Sequence, residues 1–516
     1  MERLNSDCLL RIFLELEFKE KVQIERVCQR WHRILRTSYP YSNIRTFHVS
    51  EFLRNSDSNY FQQDNINFIP TVCGVISRCG PHLRSLSFDS GWYRVSPPII
   101  SAISQYCGQL TKLDLSCTLL SGDLSEVLER VSPRLSYFSV DECNLVAEVN
   151  AEKISRYFGQ MFQLQEINLR KCRVNMEHIL ELPETLKFVF SFHKCTLAEF
   201  RCVDLSGIYH MTPELLTYFL VGHTELKKLT LCPFPGAQFP IPNSEDPSNG
   251  LSMVFDCIGS LPKLQHLALG HISYASNILS MDSLARLSSL RSLELKECVG
   301  MTANVLRKVL INSQQLESLK IINCTAMCDY RLLSFCESLK ELVVEKTFQI
   351  CDEDFENICR YGKLERVSLR RCVNITNKAV QTIVNDCAIK EVTYETNSNG
   401  SCLQLDVSLC DNIDNDIFRI LSSPKLKLRK LMFDGCKGLT SDGINMLVTE
   451  GKQLLRFLTE LDLSHNKNID NKGVETIVKR VEKIKRIKKP LVIYASQTSV
   501  QMETLSKLSK RVEILV

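Results

Sequence analysis

The residues best equipped for chemistry in this chain are its 23 cysteines. A thiolate is both a nucleophile and a metal ligand, and structural zinc draws such ligands from closely spaced pairs. No C-x-x-C pair occurs here; the nearest approach is Cys324 with Cys328, and no second Cys or His pair lies at matching spacing. Nor does the chain contain G-x-x-x-x-G-K-[ST], G-x-S-x-G or H-E-x-x-H. The ten histidines are scattered, and His193 and His223 fall at strand or turn positions where packing or solvation accounts for them. No catalytic residue, metal site or cofactor is therefore expected, and the chain is not expected to be an enzyme.

The cysteines have a period instead. An apolar residue is followed by apolar residues at +3 and +5 and often by Cys at +8: Leu135, Phe138, Val140, Cys143; Leu164, Ile167, Leu169, Cys172; Leu290, Leu293, Leu295, Cys298; Leu316, Leu319, Ile321, Cys324. The pattern continues with Leu364, Val367, Leu369, Cys372 and with Leu428, Leu431, Phe433, Cys436. In Leu110, Leu113, Leu115 the Cys comes one place early, at Cys117, and after Leu458, Leu461, Leu463 it is replaced by Asn466. Residues at +3 and +5 share one face of a short strand, because strand side chains alternate. The +8 residue sits where the chain turns away, and Cys or Asn there can satisfy buried backbone groups. A helical segment follows: in Cys372–Cys387 the apolar residues Ile375, Ala379, Val380, Ile383 and Val384 have helical spacing. Cys79, Cys107, Cys336, Cys359 and Cys387 precede the next anchor and are expected to be small buried hydrophobes at helix ends.

Anchors recur every 23 to 30 residues in most places, giving about 16 to 18 units from Ile44, Phe47, Val49 to the end. The period is too short between Phe190 and the unit at Phe200, Val203, Leu205, and between Ile389, Val392, Tyr394 and the unit at Cys402, Leu405, Val407. In each case either a helix is missing or one strand is not real. It is too long between Leu226 and Leu264, where Pro233, Pro235, Pro240, Pro242 and Pro247 argue for a projecting loop over residues 233–250.

Composition sets outer limits. Hydrophobic residues make up 44% and charged residues 24%, enough to bury a core, and a net charge of +4 over 516 residues implies no nucleic acid by itself. Met1–Leu10 mixes charge into its apolar residues, so no secretory signal is expected, and no run of about 18 apolar residues suggests a membrane span. A reducing, cytoplasmic or nuclear setting follows as the expectation. There the thiols stay free and the sequons at Asn323, Asn374 and Asn399 carry no sugar. The stretch Lys479–Lys489, KRVEKIKRIKK, holds seven bases and one acid; with Ile477, Val481, Ile484 and Ile487 as its apolar side it reads as the solvated face of a helix.

The first forty residues have another pattern. Leu9, Ile12, Phe13 and Leu16 form one face of a helix that Asn5 or Ser6 can cap; a short second helix is expected near Lys19–Arg26; and a third should carry Val27, Cys28, Trp31, Ile34 and Leu35 on one face. So short a segment must dock on something.

Leu4, Leu9, Ile12, Phe13, Leu16, Val27, Cys28 and Trp31, in the line LNSDCLLRIFLELEFKEKVQIERVCQRWHRIL, resemble an F-box, although Asn5 stands where that family has Pro. The repeats, with copies such as CVGMTANVLRKVL and CKGLTSDGINMLV, resemble the cysteine-containing leucine-rich repeats of F-box proteins. The resemblance implies an α/β fold: a right-handed leucine-rich-repeat solenoid over residues 41–516, with a curved parallel sheet inside and helices outside, preceded by a small F-box-like helical segment at 1–40. It implies a substrate-recognition subunit of a Skp–cullin–F-box ubiquitin ligase, whose partners are a Skp-type adaptor, through it a cullin, and a protein substrate. No membrane or nucleic-acid partner is expected. The eight residues just named would be the adaptor-binding set. The alternative is a ligase-independent interaction scaffold.

Residues between the anchors should face the concave surface. That places Arg366, Ser368 and Arg370 there, with Lys320 from two units earlier and Arg429, Lys430 and Asp434 from a later one; Arg371 should lie at the rim. The patch reads as modestly basic, suited to an acidic or phosphorylated substrate segment.

Overall fold

The computed structural model describes residues 4–36, 39–53, 68–88, 93–140, 144–145, 157, 161, 163–168, 173–174, 201–206, 213–221, 223–234, 247–272, 281–298, 300–327, 329–361, 364–386, 404–422, 428–451, 454–484, 490–501 and 511–515. The chain forms two compact units, Met1–Cys257 and Ile258–Val516.

The first unit begins with three helices, α1 (Ser6–Leu14), α2 (Phe18–Ile24) and α3 (Gln29–Leu35). Asn5 caps α1 by accepting from the Cys8 amide at 2.8 Å. The residue that departs from the F-box pattern thus satisfies one of the free amides of the first turn. A parallel sheet follows in sequence order: β1 (Thr46–His48), β2 (Ser85–Ser87), β3 (Lys112–Asp114), β4 (Tyr137–Ser139), β5 (Glu166–Asn168), β6 (Cys202–Asp204) and β7 (Lys228–Leu231). The two-residue strands Arg94–Val95, Leu119–Leu120, Asn144–Leu145 and Arg173–Val174 form a second parallel ladder, an element that the sequence period did not announce.

The second unit is a parallel sheet of β8 (His266–Ile272), β9 (Ser292–Cys298), β10 (Ser318–Ile322), β11 (Glu341–Glu345), β12 (Arg366–Ser368), β13 (Gln404–Asp406), β14 (Lys430–Met432), β15 (Glu460–Asp462), β16 (Leu491–Tyr494) and β17 (Val512–Leu515). Strand anchors such as Leu293 with Leu295 and Leu319 with Ile321 are buried, as are the apolar faces of helices such as Ala303–Asn312 and Asn471–Lys483. Ile375, Ala379, Val380, Ile383 and Val384 are buried together, as their helical spacing requires. Each unit is thus a leucine-rich-repeat solenoid, and strand-to-strand crossovers of this kind turn right-handed.

Both places where the period ran short have one resolution. β6 pairs directly with β5, and β13 with β12, so no strand from Phe190 or from Ile389–Tyr394 stands between them. Those latter segments lie outside the described residues. The Pro-rich stretch needs a correction: a helix runs over Pro247–Gly259, beginning inside the bounds expected for the loop. Proline is tolerated in a first helical turn, where its missing N–H would have no partner anyway. Residues 235–246 lie outside the described set.

A row of turn residues crosses the second unit behind the strands. The Sγ atoms of Cys298, Cys324, Cys372, Cys410 and Cys436 lie 3.4, 3.6, 3.2, 3.0 and 3.2 Å from the carbonyls of Leu269, Leu295, Val344, Leu369 and Val407, each one unit back. Asn466 makes the same link with its Nδ2, 2.8 Å from the Phe433 carbonyl. Just before each, Glu297, Asn323, Arg371, Leu409, Gly435 and His465 have φ between 52° and 65°. In the first unit Cys117 takes this left-handed position, and the buried Thr118 serves as the turn residue, its hydroxyl 2.6 Å from the Leu115 carbonyl. That explains why the cysteine there comes one place early. Cys79, Cys107, Cys336 and Cys359 are buried near helix ends, while Cys143, Cys172 and Cys387 lie outside the described residues.

Candidate functional site

The three N-terminal helices enclose a core of Leu9, Phe13 and Leu35, with Leu16, Ile24, Trp31 and Ile34 packed against it. The Phe13 and Trp31 rings meet edge to face, centroids 5.0 Å apart. This corrects two expectations. Leu9 and Phe13 do not offer contact surface; they hold the helices together. Val27 and Cys28 do not share the buried face of α3: both precede it and are exposed, because that face is set by Trp31, Ile34 and Leu35. The exposed apolar residues of the segment are Leu4 (37%), Ile12 (39%) and Val27 (62%), with the Cys28 thiol beside them in sequence.

The segment is fastened to the first repeat. Glu25, buried, accepts from Arg78 on the helix Phe68–Cys79, whose Nε lies 3.0 and 2.9 Å from its two carboxylate oxygens. That bond raises the Arg78 pKa above its ordinary value. Phe18 packs its ring against Tyr41, Phe47 and Phe52 at centroid distances of 6.1, 5.7 and 5.4 Å. Lys21 is also buried, and burial pushes its pKa down. The helices therefore also cover the start of the sheet.

Residues 1–43 match the F-box domain family. The chain thus carries an F-box domain at its start, with leucine-rich repeats after it. Among solved structures, the chain is similar to the yeast Rad7–Elc1 complex (13% identity, 89% of this chain and 96% of that one, TM-score 0.42). It is also similar to an internalin of Listeria monocytogenes (13%, 87% and 94%, 0.30) and to a leucine-rich-repeat protein of Leptospira interrogans (14%, 85% and 92%, 0.34). At those scores the likenesses are loose, and the repeat architecture stands on its own strand pairing.

The second candidate surface is the face of the second sheet turned away from the helices. Arg366, Ser368, Lys320 and Lys430 do lie on it, at strand positions that alternate with buried anchors. Arg370 follows in the same sense beyond β12, and Arg371 is exposed in the left-handed position past the strand. Arg429 precedes β14, and its carbonyl accepts from Thr459 and Glu460 of the next unit. Asp434 lies across from Arg370, two units on.

The expected basic patch is corrected by its neighbours. Arg366 Nε lies 3.4 Å from Glu341, Arg370 3.3 Å from Asp434, and Lys430 2.7 Å from Glu460. Asp434 also takes His465 Nδ1 at 2.6 Å. Over β11 to β15 and the residue two beyond each, this face holds six acids (Glu341, Glu345, Asp406, Asp434, Glu460, Asp462) against three bases (Arg366, Arg370, Lys430), a formal balance of −3. Asp406 and Asp462 accept from the Ser408 and Ser464 amides two residues on, at 3.0 and 2.9 Å. Burial, with Asp406 nearby, pushes the Glu345 carboxyl up.

At the upstream edge of this stretch, sharing Glu341 and Arg366 with it, the balance is positive. A pocket of about 320 Å³ opens over β8 to β12, lined by Arg291, Glu317, Lys320, Lys340, Glu341 and Arg366, with His266, Ser292 and Ser318. Glu317 is 2.9 Å from both Arg291 and Lys340, and hydrogen bonding to Lys340 draws its carboxyl down. Sequence reasoning found Lys320 and Arg366 here but missed Arg291 and Lys340. Both stand one residue before their strands, and only the cross-strand register brings them together. Among the described residues no group of His, Cys, Asp and Glu is placed to hold a metal ion, and no helix is long and apolar enough to cross a membrane.

Proposed function

We propose that this protein is the substrate-recognition subunit of a Skp–cullin–F-box type ubiquitin ligase. The F-box grips a Skp-type adaptor, which joins the chain to a cullin, and the repeats hold a protein substrate. The chain itself contributes placement rather than bond chemistry, since holding a substrate beside a reactive group converts a bimolecular encounter into an effectively intramolecular one. Work in the cytoplasm or nucleus is part of this proposal.

The observation that carries it is the F-box match over residues 1–43 together with three exposed apolar side chains on that segment, Leu4, Ile12 and Val27. Exposed apolar groups of this kind anchor interfaces. Leu9, Phe13, Leu16 and Trp31 support the surface from within.

The test is co-purification with a Skp-type adaptor. Ile12→Asp with Val27→Asp should abolish it while leaving the melting midpoint of the repeats unchanged, because both side chains are exposed. Deleting residues 1–40 is a poorer experiment: it removes Glu25 from Arg78 and strips Phe18 from Phe47 and Phe52. An intact chain that captures no adaptor at micromolar concentration would overturn the ligase role and leave a repeat scaffold.

A further inference from the structure

The pocket over β8 to β12 has a charge pattern that selects a ligand. Four cations line it, Arg291, Lys320, Lys340 and Arg366, against two carboxylates, Glu317 and Glu341, a formal balance of +2. Glu317 is shared by Arg291 and Lys340, so one charge of that trio stays uncompensated. Lys320 makes no close ion pair among the described residues, although its charge acts on Glu341, and Arg366 meets Glu341 through Nε, leaving its terminal nitrogens as donors. The cations are spread rather than focused. They belong to four successive units, and with strands about 4.8 Å apart the outermost two, Arg291 and Arg366, stand about 14 Å apart along the sheet.

Resting on the reading of the repeats as the substrate-holding part, the geometry points to an acidic peptide segment of the partner protein, bound extended across this pocket with two carboxylates on the same side of its chain. Two negative charges balance the pocket. Alternate residues of an extended chain lie about 7 Å apart and project the same way, which matches cations distributed over adjacent strands. A single phosphate would need donors converging on one point, whereas the four cations here come from four successive units. The acidic face over β13 to β15 would repel such a segment and so set its position along the sheet.

The test uses the full chain purified with its adaptor, and immobilised degenerate peptide pools with a fixed Glu-x-Glu, phosphoserine or Lys-x-Lys core. The Glu-x-Glu pool should be retained best. Retention should fall about tenfold for Lys320→Glu with Arg366→Glu and about threefold for the milder Lys320→Gln, and it should weaken as salt rises from roughly 50 to 300 mM. Arg370→Glu, outside the pocket, should leave it unchanged. An unchanged melting midpoint in the variants separates lost binding from lost folding. Equal retention of the Lys-x-Lys pool, or no response to either Lys320 variant, overturns the proposal; phosphoserine held tenfold tighter overturns the assignment to paired carboxylates. Adaptor capture in the same preparation keeps the two readings apart: peptide retained without adaptor sinks the ligase role alone, and adaptor retained with peptide lost sinks the pocket alone.

Discussion

Two rows of residues cross the second unit a few positions apart in every repeat, and their fates differ. The turn row (Cys298, Cys324, Cys372, Cys410, Cys436, Asn466) is buried, and each member donates to a carbonyl one unit back. The row on the open face (Glu341, Arg366, Lys430, Glu460) is half-exposed and paired with itself across strands. In the turn row the backbone sets the requirement: a left-handed residue is followed by a donor for a carbonyl of the preceding unit. On the open face no backbone group dictates the side chain, and each charge answers only to its neighbours.

The comparison breaks most visibly at Asn466. Its Nδ2 lies 2.8, 2.9 and 3.2 Å from the carbonyls of Phe433, Leu463 and Ser464. Asn466→Leu removes a donor that reaches three carbonyls, of which that of Phe433 keeps a long bond from the Cys436 amide, at a cost of about 2 kcal/mol. Asn466→Cys installs the group that five other turns use, so its loss should be about 1 kcal/mol. Urea denaturation midpoints measure both; equal losses would mean that volume, not hydrogen bonding, governs the row. Cys436→Ala forfeits one weak donor and a little packing, and should cost about 1 kcal/mol.

The thiols sharpen the same contrast without mutation. Burial pushes the Cys436 thiol up to about 12 and Cys410 up to about 11, so little thiolate forms at each near neutrality. Cys324 is the exception: a hydrogen bond from Cys298 draws it down, although it stays buried. With iodoacetamide at pH 8, Cys8 and Cys28, both exposed, should label first. Cys410 and Cys436 should label only on unfolding; fast native labelling of either would contradict the structural role.

What the sequence could show follows from the same physics. The turn row was legible because its requirement repeats with the backbone: Cys or Asn at one fixed offset from two apolar anchors, with only Thr118 missed. The Leu9–Phe13–Trp31 core was legible as a pattern, yet its direction was not, because helical spacing alone cannot say whether Phe13 faces a sister helix or a partner. The open face was legible in position and misread in charge. Arg366 looks free along the chain because Glu341 lies 25 residues earlier, and Arg370 because Asp434 lies 64 later. β12 pairs directly with β13 although more than thirty residues separate them in sequence, a spacing that hides their register.

The smallest effect isolates that charge pairing through pH. Glu341 and Glu345 face the same way on β11, yet their carboxyls move in opposite directions. Burial raises Glu345, and Asp406 adds to it; Arg370 and the Ser368 hydroxyl do not compensate. Burial also opposes ionisation of Glu341, but the Ser318 hydroxyl at 2.6 Å and the charges of Lys320 and Arg366 carry it below the usual value. A carboxyl raised on folding binds its proton more tightly in the native state, so it favours folding below its unfolded pKa and loses that contribution as pH rises through the folded one. A lowered carboxyl favours folding above its unfolded pKa, and that is lost as pH falls through the folded value. Glu345→Gln should therefore stabilise the protein at pH 7, and Glu341→Gln should destabilise it, each by roughly 0.3 kcal/mol once solvent screening at these partly exposed sites is allowed for. Both differences should shrink as pH falls and the wild-type carboxyls take up protons, that of Glu345 first. Shifts of the same sign for the two variants at pH 7 would mean that their cross-strand partners do not distinguish them, and that the alternation of charge on this face has no energetic content.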